Sequence, residues 1–416
     1  MFDKEKYHGE IWFPDKYDER CFCILFYKDG KVFLETNLGV SEKVYVSKHL
    51  KILGLFTRLG HVTFIDCKLS NTSSGIITSY VYESRYTFTH SGDFFIPEMT
   101  TNKFSISNNG LLDWRMWGFD FDPKQQTINY GREEPHTFKI VQSRLEVEMI
   151  FFTSFSLKKN CVMAQNYAKV ILNYEDNVTV GKAIDDYHTF QKLVQFLTGN
   201  ATLFNSFSYL CPSTNKWGYI RFEGNIYKEM NSVYLVIDFN DIYQHLPTLV
   251  KLLYTDANFL FCINKILDNH TDGKISHSKR FTNSISTFEG FCKLYSGRTN
   301  TKLNFFFDEH KNLIREIMNI DESNFKDFTA KIVRSRSYHV HANINDHRSN
   351  NIFSDFELLY ISFALGIIVA IGLLKQANVS PDVLDKIIDQ GKMTFSGLQN
   401  LNRELRTDSI RDYSSP

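Results

Sequence analysis

The chain has 416 residues, 43% of them apolar and 15% aromatic, which is enough for full cores and long enough to expect two domains. Lys plus Arg equals Asp plus Glu at 47 each, a formal net charge of zero. This excludes a protein that gathers nucleic acid through a global basic field, so any such contact must come from a local patch.

Met1 to Asp15 is charged and lacks the apolar segment of a signal peptide. Cys21–Tyr27 then reads as a strand. Lys28-Asp-Gly-Lys31 follows as a hairpin turn, because Asp-Gly accepts positive φ at low cost, and Val32–Leu34 is the return strand. Further strands are expected at Lys51–Phe56, His61–Asp66, Ser79–Phe88, Phe94–Ile96, Phe104–Ser107, Arg144–Phe152 and Val162–Leu172. Turn residues such as Asn108-Asn109-Gly110 separate them. Many short strands at close intervals predict a sandwich or a curved antiparallel sheet.

The period then changes. Ile184, Tyr187, Phe190, Val194 and Leu197 recur at helical spacing, and Gly199 stands where a C-terminal cap belongs. Two strand-like runs follow, Trp217–Phe222 and Val233–Phe239. From Asp241 the helical pattern dominates, with helices expected over 246–269, 278–296, 303–318, 324–341, 353–376 and 381–390. Asp321, Glu322 and Ser323 suit the start of the fourth, and Ser380-Pro381 opens the last. Thr407 to Pro416 reads as a frayed tail. The fold class is therefore α+β. An antiparallel β-rich domain over residues 1–240 precedes an all-α bundle over 241–416.

Leu358–Leu374 is a run of seventeen residues without a charge. It reaches only the bottom of the transmembrane range and contains Ser362, Gly366 and Gly372, so a buried core helix is the preferred reading over a membrane anchor. The seven Cys are irregularly spaced, and no pair has zinc-ligand spacing. Reduced thiols, a cytoplasmic location and no metal or other cofactor are expected.

The chemistry concentrates in Arg334-Ser-Arg336-Ser-Tyr338-His339-Val-His341. Four residues separate Arg336 from His341, and four separate Arg334 from His339. An imidazole moves protons at neutral pH, and a guanidinium holds phosphate through paired hydrogen bonds. Together they suit cleavage of an RNA phosphodiester. Residues 331–348 hold Lys331, Arg334, Arg336, Arg348 and three His against one acid, Asp346, a basic island in a neutral protein. Five residues of ideal helix turn about 500°, so Arg336 and His341 would point about 140° apart. They converge on one phosphate if the helix bends or ends near Ser337, or if a second chain supplies one of them. The competing reading is a plain solvated basic face at a helix end.

Other candidates are weaker. By itself Glu289 reads as an ordinary exposed helix carboxylate, and His310 and Arg315 as ordinary helix residues. Trp114 and Trp117 could stack a base, but fill a sheet core more naturally. Asp185 and Asp186 fit no metal loop.

The bundle resembles a HEPN domain, marked by Arg, four to six residues, then His on one helix. Arg336-Ser337-Tyr338-His339-Val340-His341 fits the ApeA-type frame, Arg-Asn-aromatic-x-x-His, with Tyr338 at the aromatic position. The apolar helix and Lys375-Gln-Ala-Asn-Val-Ser-Pro381 resemble that branch too. The first half is similar to the N-terminal domain of ApeA-like proteins at Tyr7-His-Gly-Glu-Ile-Trp-Phe-Pro14, Ile52-Leu-Gly-Leu55, His61-Val-Thr-Phe-Ile-Asp-Cys67 and Leu111-Leu-Asp-Trp114. Ser337 departs from the usual Asn, Asp or His.

The resemblance implies a metal-independent ribonuclease acting in anti-phage defence by abortive infection. Arg336 and His341 would be catalytic, and Ser337, Tyr338, His339, Arg334 and Glu289 supporting. It implies a homodimer with one composite site, RNA as the substrate with transfer RNA as a candidate, and an N-terminal domain that senses a phage-derived trigger. No membrane partner is expected. The alternative is a non-catalytic HEPN module that binds nucleotides or proteins.

Overall fold

The structure is a computed structural model. It describes residues 6–29, 31–39, 50–73, 78–90, 100–108, 110–116, 120–122, 124, 127–129, 134–158, 161–199, 204–212, 214–222, 236–271, 275–299, 301–341 and 352–411. The chain divides into two compact units. The first comprises residues 1–187 and 202–227, the second 188–201 and 228–416.

The first unit is built on antiparallel strands. They are β1 (Tyr7–Trp12), β2 (Cys21–Lys28), β3 (Lys31–Thr36), β4 (Leu50–Phe56), β5 (Gly60–Ser73), β6 (Ser79–His90), β7 (Thr100–Asn108), β8 (Asp120–Asp122), β9 (Thr127–Asn129), β10 (His136–Ile140), β11 (Leu145–Lys158), β12 (Cys161–Thr179), β13 (Phe204–Cys211) and β14 (Lys216–Phe222). Helix α1 (Gly110–Arg115) and the first half of α2 (Val180–Thr198) belong among them. The β2–β3 hairpin turns as its sequence requires, with Lys28 paired to Lys31 and Asp29 at φ +50°.

One sheet runs β10-β11-β12-β7-β13-β14-β6-β3-β2-β1-β4-β5, and β5 pairs again with β6. That last pairing closes β1 to β6 into a barrel, a curved sheet carried to full closure. Its interior holds Ile11, Cys23, Leu25, Leu34, Ile52, Phe64 and Tyr82, all at most 1% exposed. The alternation of these residues along each strand puts one face inward. β6 serves two neighbours along one edge, pairing with β3 over Tyr80–Ser84 and with β14 over Tyr86–His90. The barrel therefore continues directly into an open sheet. The first half of α2 packs on that sheet through Tyr187, whose ring meets Phe207 at 5.7 Å and whose hydroxyl accepts from Asn108 Nδ2 at 3.2 Å.

Several local expectations change. Asn108 and Gly110 do not form a simple turn: Gly110 begins α1, its N–H bonding Asn108 Oδ1 at 3.0 Å. Trp114 is buried at 9% exposure, and Trp117 lies outside the described residues. The strand expected at Phe94–Ile96 also lies outside them. The run expected at Val233–Phe239 is no strand where it is described, because Phe239 opens a helix. Gly199 caps α2 at φ +66°, its N–H bonding Gln195 O.

The second unit is helical: α3 (Phe239–Ile242), α4 (Leu246–Thr255), α5 (Ala257–Thr271), α6 (His277–Ser296), α7 (Leu303–Glu309), α8 (Lys311–Met318), α9 (Phe325–His341), α10 (Asp355–Gln376) and α11 (Pro381–Arg411). The helix expected over 246–269 breaks by 98° at Asp256. That residue leaves helical geometry, and its carboxylate accepts from the N–H groups of Asn258 and Phe259, capping α5. The helix expected over 303–318 breaks at His310, whose ring lies 5.5 Å from that of Phe288. Asp321 makes no side-chain cap; a 3₁₀ turn over Glu322–Asn324 leads into α9 instead. α11 continues to Arg411, so the expected tail is helical as far as described.

α10 forms the centre of this unit and packs against α5, α6, α8 and α11. It is long and apolar enough to cross a membrane, yet 78% of its most apolar window is buried by these neighbours. A capping box starts it. Ser354 Oγ accepts from Glu357 N–H, and the Glu357 carboxylate accepts from Ser354 N–H at 2.7 Å. Ser354→Ala is expected to cost about 1 kcal/mol, read as a lower midpoint in denaturant unfolding with an unchanged slope.

Burial beside Phe288 and Phe291 holds the His310 imidazole below its usual value, against the smaller opposing pull of Glu309. The unfolded chain therefore takes up the proton first as pH falls. His310 contributes its full stability above about pH 6.5, and that contribution shrinks as pH drops toward the lower folded value. His310→Gln is expected to flatten this acid-side fall in thermal midpoint between about pH 6.5 and 5.

Candidate active site

α9 contains no Gly or Pro, and its buried stripe runs through Phe325, Thr329, Ile332 and Ser335 at helical spacing. Arg336 and His339 stand along the edge of that stripe, four and seven residues after Ile332. They are half-buried, while Arg334 and Val340 face solvent. The helix remains α-helical through His341, close to the expected 324–341, so no helix end near Ser337 brings the two side chains together. By the helical step, His341 stands about 140° round the axis from Arg336. Within one chain the two positions do not share a face. The His341 side chain itself lies outside the described ones.

Arg336 Nη2 meets Glu289 Oε2 at 2.8 Å. The Glu289 side chain is 16% exposed and the Arg336 side chain 36%. The same carboxylate holds Lys293 Nζ through Oε1 at 2.7 Å, one turn along α6. Glu289 is therefore a shielded bridge between two cations. This fixes one edge of the guanidinium and leaves the partly exposed remainder to meet an anion.

The rings of Tyr338 and His339 lie edge to face at 4.9 Å, and His339 meets Phe281 of α6 at 6.4 Å. Arg334 folds back, its Nε donating to Ala330 O at 3.3 Å. Ser337 is half-buried on the same turn. Residues 342–351, which include the rest of the basic island, lie outside the described residues.

Sequence reasoning missed one support. Ser335 is fully buried; its hydroxyl donates to Lys331 O at 2.9 Å and accepts from Phe353 N–H at 3.0 Å. Lys331 Nζ lies 4.3 Å from the Phe353 ring centroid. The start of α10 is thus pinned against the turn that carries Arg336. Only the period of α9, which puts Ser335 on the apolar stripe, could have revealed it.

Two other expected candidates prove structural. Arg315 bonds Ile320 O and Glu322, and His310 packs between rings. Among the described residues, no group of three or more His, Cys, Asp or Glu could hold a metal ion. Burial pushes the Cys292 thiol up to about 12, so it is no nucleophile at neutral pH. Cys21, Cys23, Cys67, Cys211, Cys262 and Cys292 are free thiols.

Two family models match this arrangement. ApeA N-terminal domain 1 matches residues 6–269, and Apea-like HEPN matches residues 254–383. The chain belongs to the ApeA family. The ApeA N-terminal match covers all the strands and continues through α4 into α5. The HEPN match covers α6 to α10 and contains both Glu289 and the Arg336–His341 frame. No curated protein and no solved structure matches the chain.

Proposed function

We propose that this ApeA-family protein is a metal-independent endoribonuclease of anti-phage defence, with Arg336 and His341 as its catalytic residues. The observation that carries the reading is the shielded ion pair between Glu289 and Arg336, inside the matched HEPN segment. It holds a permanently charged, partly open guanidinium in one orientation, as a phosphate site requires.

Cleavage proceeds by internal attack. The 2′-OH loses its proton to a base and attacks the adjacent phosphorus. The 5′-oxygen leaves with a proton from an acid, giving a 2′,3′-cyclic phosphate and a 5′-OH. Histidine suits both proton transfers near neutral pH. Arginine stabilises the extra charge on the phosphorane. Because α9 stays helical through His341, the reading calls for a two-fold dimer in which Arg336 of one copy faces His341 of the other. The N-terminal unit would then sense the infection and release the site, stopping translation and growth.

The test is cleavage of total cellular RNA by the purified chain in EDTA, with end-group analysis. Cutting to 2′,3′-cyclic phosphate ends, lost in His341→Ala, supports the reading. Ser337, where the family usually has Asn, Asp or His, favours one rival, a non-catalytic binding module. RNA binding without cutting, even with infected-cell extract present, would establish that rival.

A further inference from the structure

The face of α6 between α5 and α9 holds a glycine that packing does not explain. Gly290 stands inside α6, where glycine weakens a helix relative to alanine. Among the described residues, a Cβ there would meet only Phe261 Cε1, at an ordinary 3.8 Å. Gly372 of α10 is fixed by the Phe291 ring, which leaves no room for a Cβ; no described neighbour holds position 290 to glycine in that way. Phe261 projects from α5 with its ring edge against this bare stretch of helix, and it is 46% exposed. Leu294, one turn beyond Gly290, is exposed as well. A bare backbone beside an open ring lets a flat partner come close to both.

The neighbours say which partner. Glu289, the residue before Gly290, holds Arg336. Consecutive helix positions differ by about 100°, so the Phe261 ring and the Arg336 guanidinium flank one face of α6, roughly 10 Å apart across a helix of that diameter. Ser286 and Lys293 fall between them, each about 40° from one flank and about 60° from the other. Ser286 is exposed, and Lys293 is half-buried beside Glu289. Lys265 Nζ lies 5.7 Å from the Phe261 ring centroid. Three cations, Arg336, Lys293 and Lys265, therefore border this face, and the single charge of Glu289 balances only part of theirs. A second copy of the same face would set these cations against themselves. A polyanion that carries flat groups suits both the charge and the ring. We propose that Phe261 and Gly290 form a base-holding cleft for RNA. The nucleobase beside the cleaved phosphate lies with its edge over Gly290 and its face on the Phe261 ring, while Arg336 holds the phosphate. This rests on the ribonuclease reading. Every base has a face to stack, so the cleft positions the strand rather than reads its sequence.

The experiment uses the full chain carrying His341→Ala, so that the probe is not cut. A short fluorescein-labelled single-stranded RNA is followed by anisotropy across a salt series, beside an abasic strand of the same length. Adding Phe261→Ala is expected to weaken binding of the RNA about tenfold, the usual loss of one stacking ring. The salt slope should stay unchanged, because no phosphate contact is lost. Binding of the abasic strand should not change, and Phe261→Trp should keep the affinity for RNA. Gly290→Ala should raise the thermal midpoint by about 2–4 °C, as alanine does inside a helix, yet weaken RNA binding by filling the cleft. An unchanged RNA affinity in either Phe261→Ala or Gly290→Ala overturns the cleft. Equal weakening for the abasic strand overturns it too, and so does loss of the dimer in Phe261→Ala, the mark of a contact between copies. No RNA binding by the His341→Ala chain at any salt overturns it as well. Cleavage without the His341 change separates the two claims. Cutting with the same KM in Phe261→Ala leaves the ribonuclease and removes the cleft. Phe261-dependent binding without any cutting leaves the cleft and removes the ribonuclease.

Discussion

Arg336→Ala is expected to lower RNA cleavage by about 10²–10³-fold, the usual loss when one charge-stabilising group leaves a reacting centre. His341→Ala should cost about 10²–10⁴-fold, as for a general acid or base. Both variants should remain folded, because Arg336 is already one-third exposed and anchors no core side chain. Glu289→Gln separates positioning from chemistry. It keeps a hydrogen-bond acceptor for Arg336 but loses the charge that also holds Lys293. Its cleavage should fall between wild type and Arg336→Ala. Mixing the two inactive single variants supplies the decisive control. If the site is composite, a heterodimer of Arg336→Ala and His341→Ala contains one intact pair and regains activity. Failure of every mixture to regain activity, with dimers demonstrated, would place both residues in one chain's site and defeat the two-chain geometry.

Gly372→Val is expected to unfold the helical unit outright or lower its stability by at least about 2 kcal/mol. A Cβ at Gly372 would stand only 2.7 Å from Phe291 Cε1 and closer still to Cζ. Phe291 is 4% exposed and packs against Tyr295 and His310, so its ring cannot swing away. α10 and α6 therefore touch nearly backbone to ring, and a branched side chain forces them apart. Because α6 carries Glu289, which holds Arg336, this variant should lose RNA cleavage together with its folded signal by circular dichroism. Loss of cleavage with an unchanged thermal midpoint would contradict this account of the contact.

The helical half was legible because its elements are long and their apolar period is strong. The starts of α6, α9 and α10 fall within a residue or two of expectation. What the period hid were the breaks at Asp256 and His310. Neither is Gly or Pro, and each interrupts the helix through a tertiary contact, a capping carboxylate in one case and a ring wedged beside Phe288 in the other. The β half showed its strands but not their closure. Alternation tells which face of a strand is buried, not which strand lies beside it, so the β5–β6 pairing that seals the barrel was invisible. At the site, the spacing named Arg336, and the structure brought Glu289 to it.

β6 also sets the order in which the protein can be finished on the ribosome. Its first half can seal the barrel as soon as β1 to β5 have emerged, but its second half must wait for β14, more than a hundred residues later in the chain. At ordinary synthesis rates that wait is roughly ten seconds. During it the Tyr86–His90 edge presents unpaired backbone groups, the kind of edge that recruits strands from other chains. The nascent protein therefore passes through one defined, time-limited window of aggregation risk. Pausing or slow codons between residues 91 and 215 should widen that window, and a chaperone that covers a single strand edge is enough to close it.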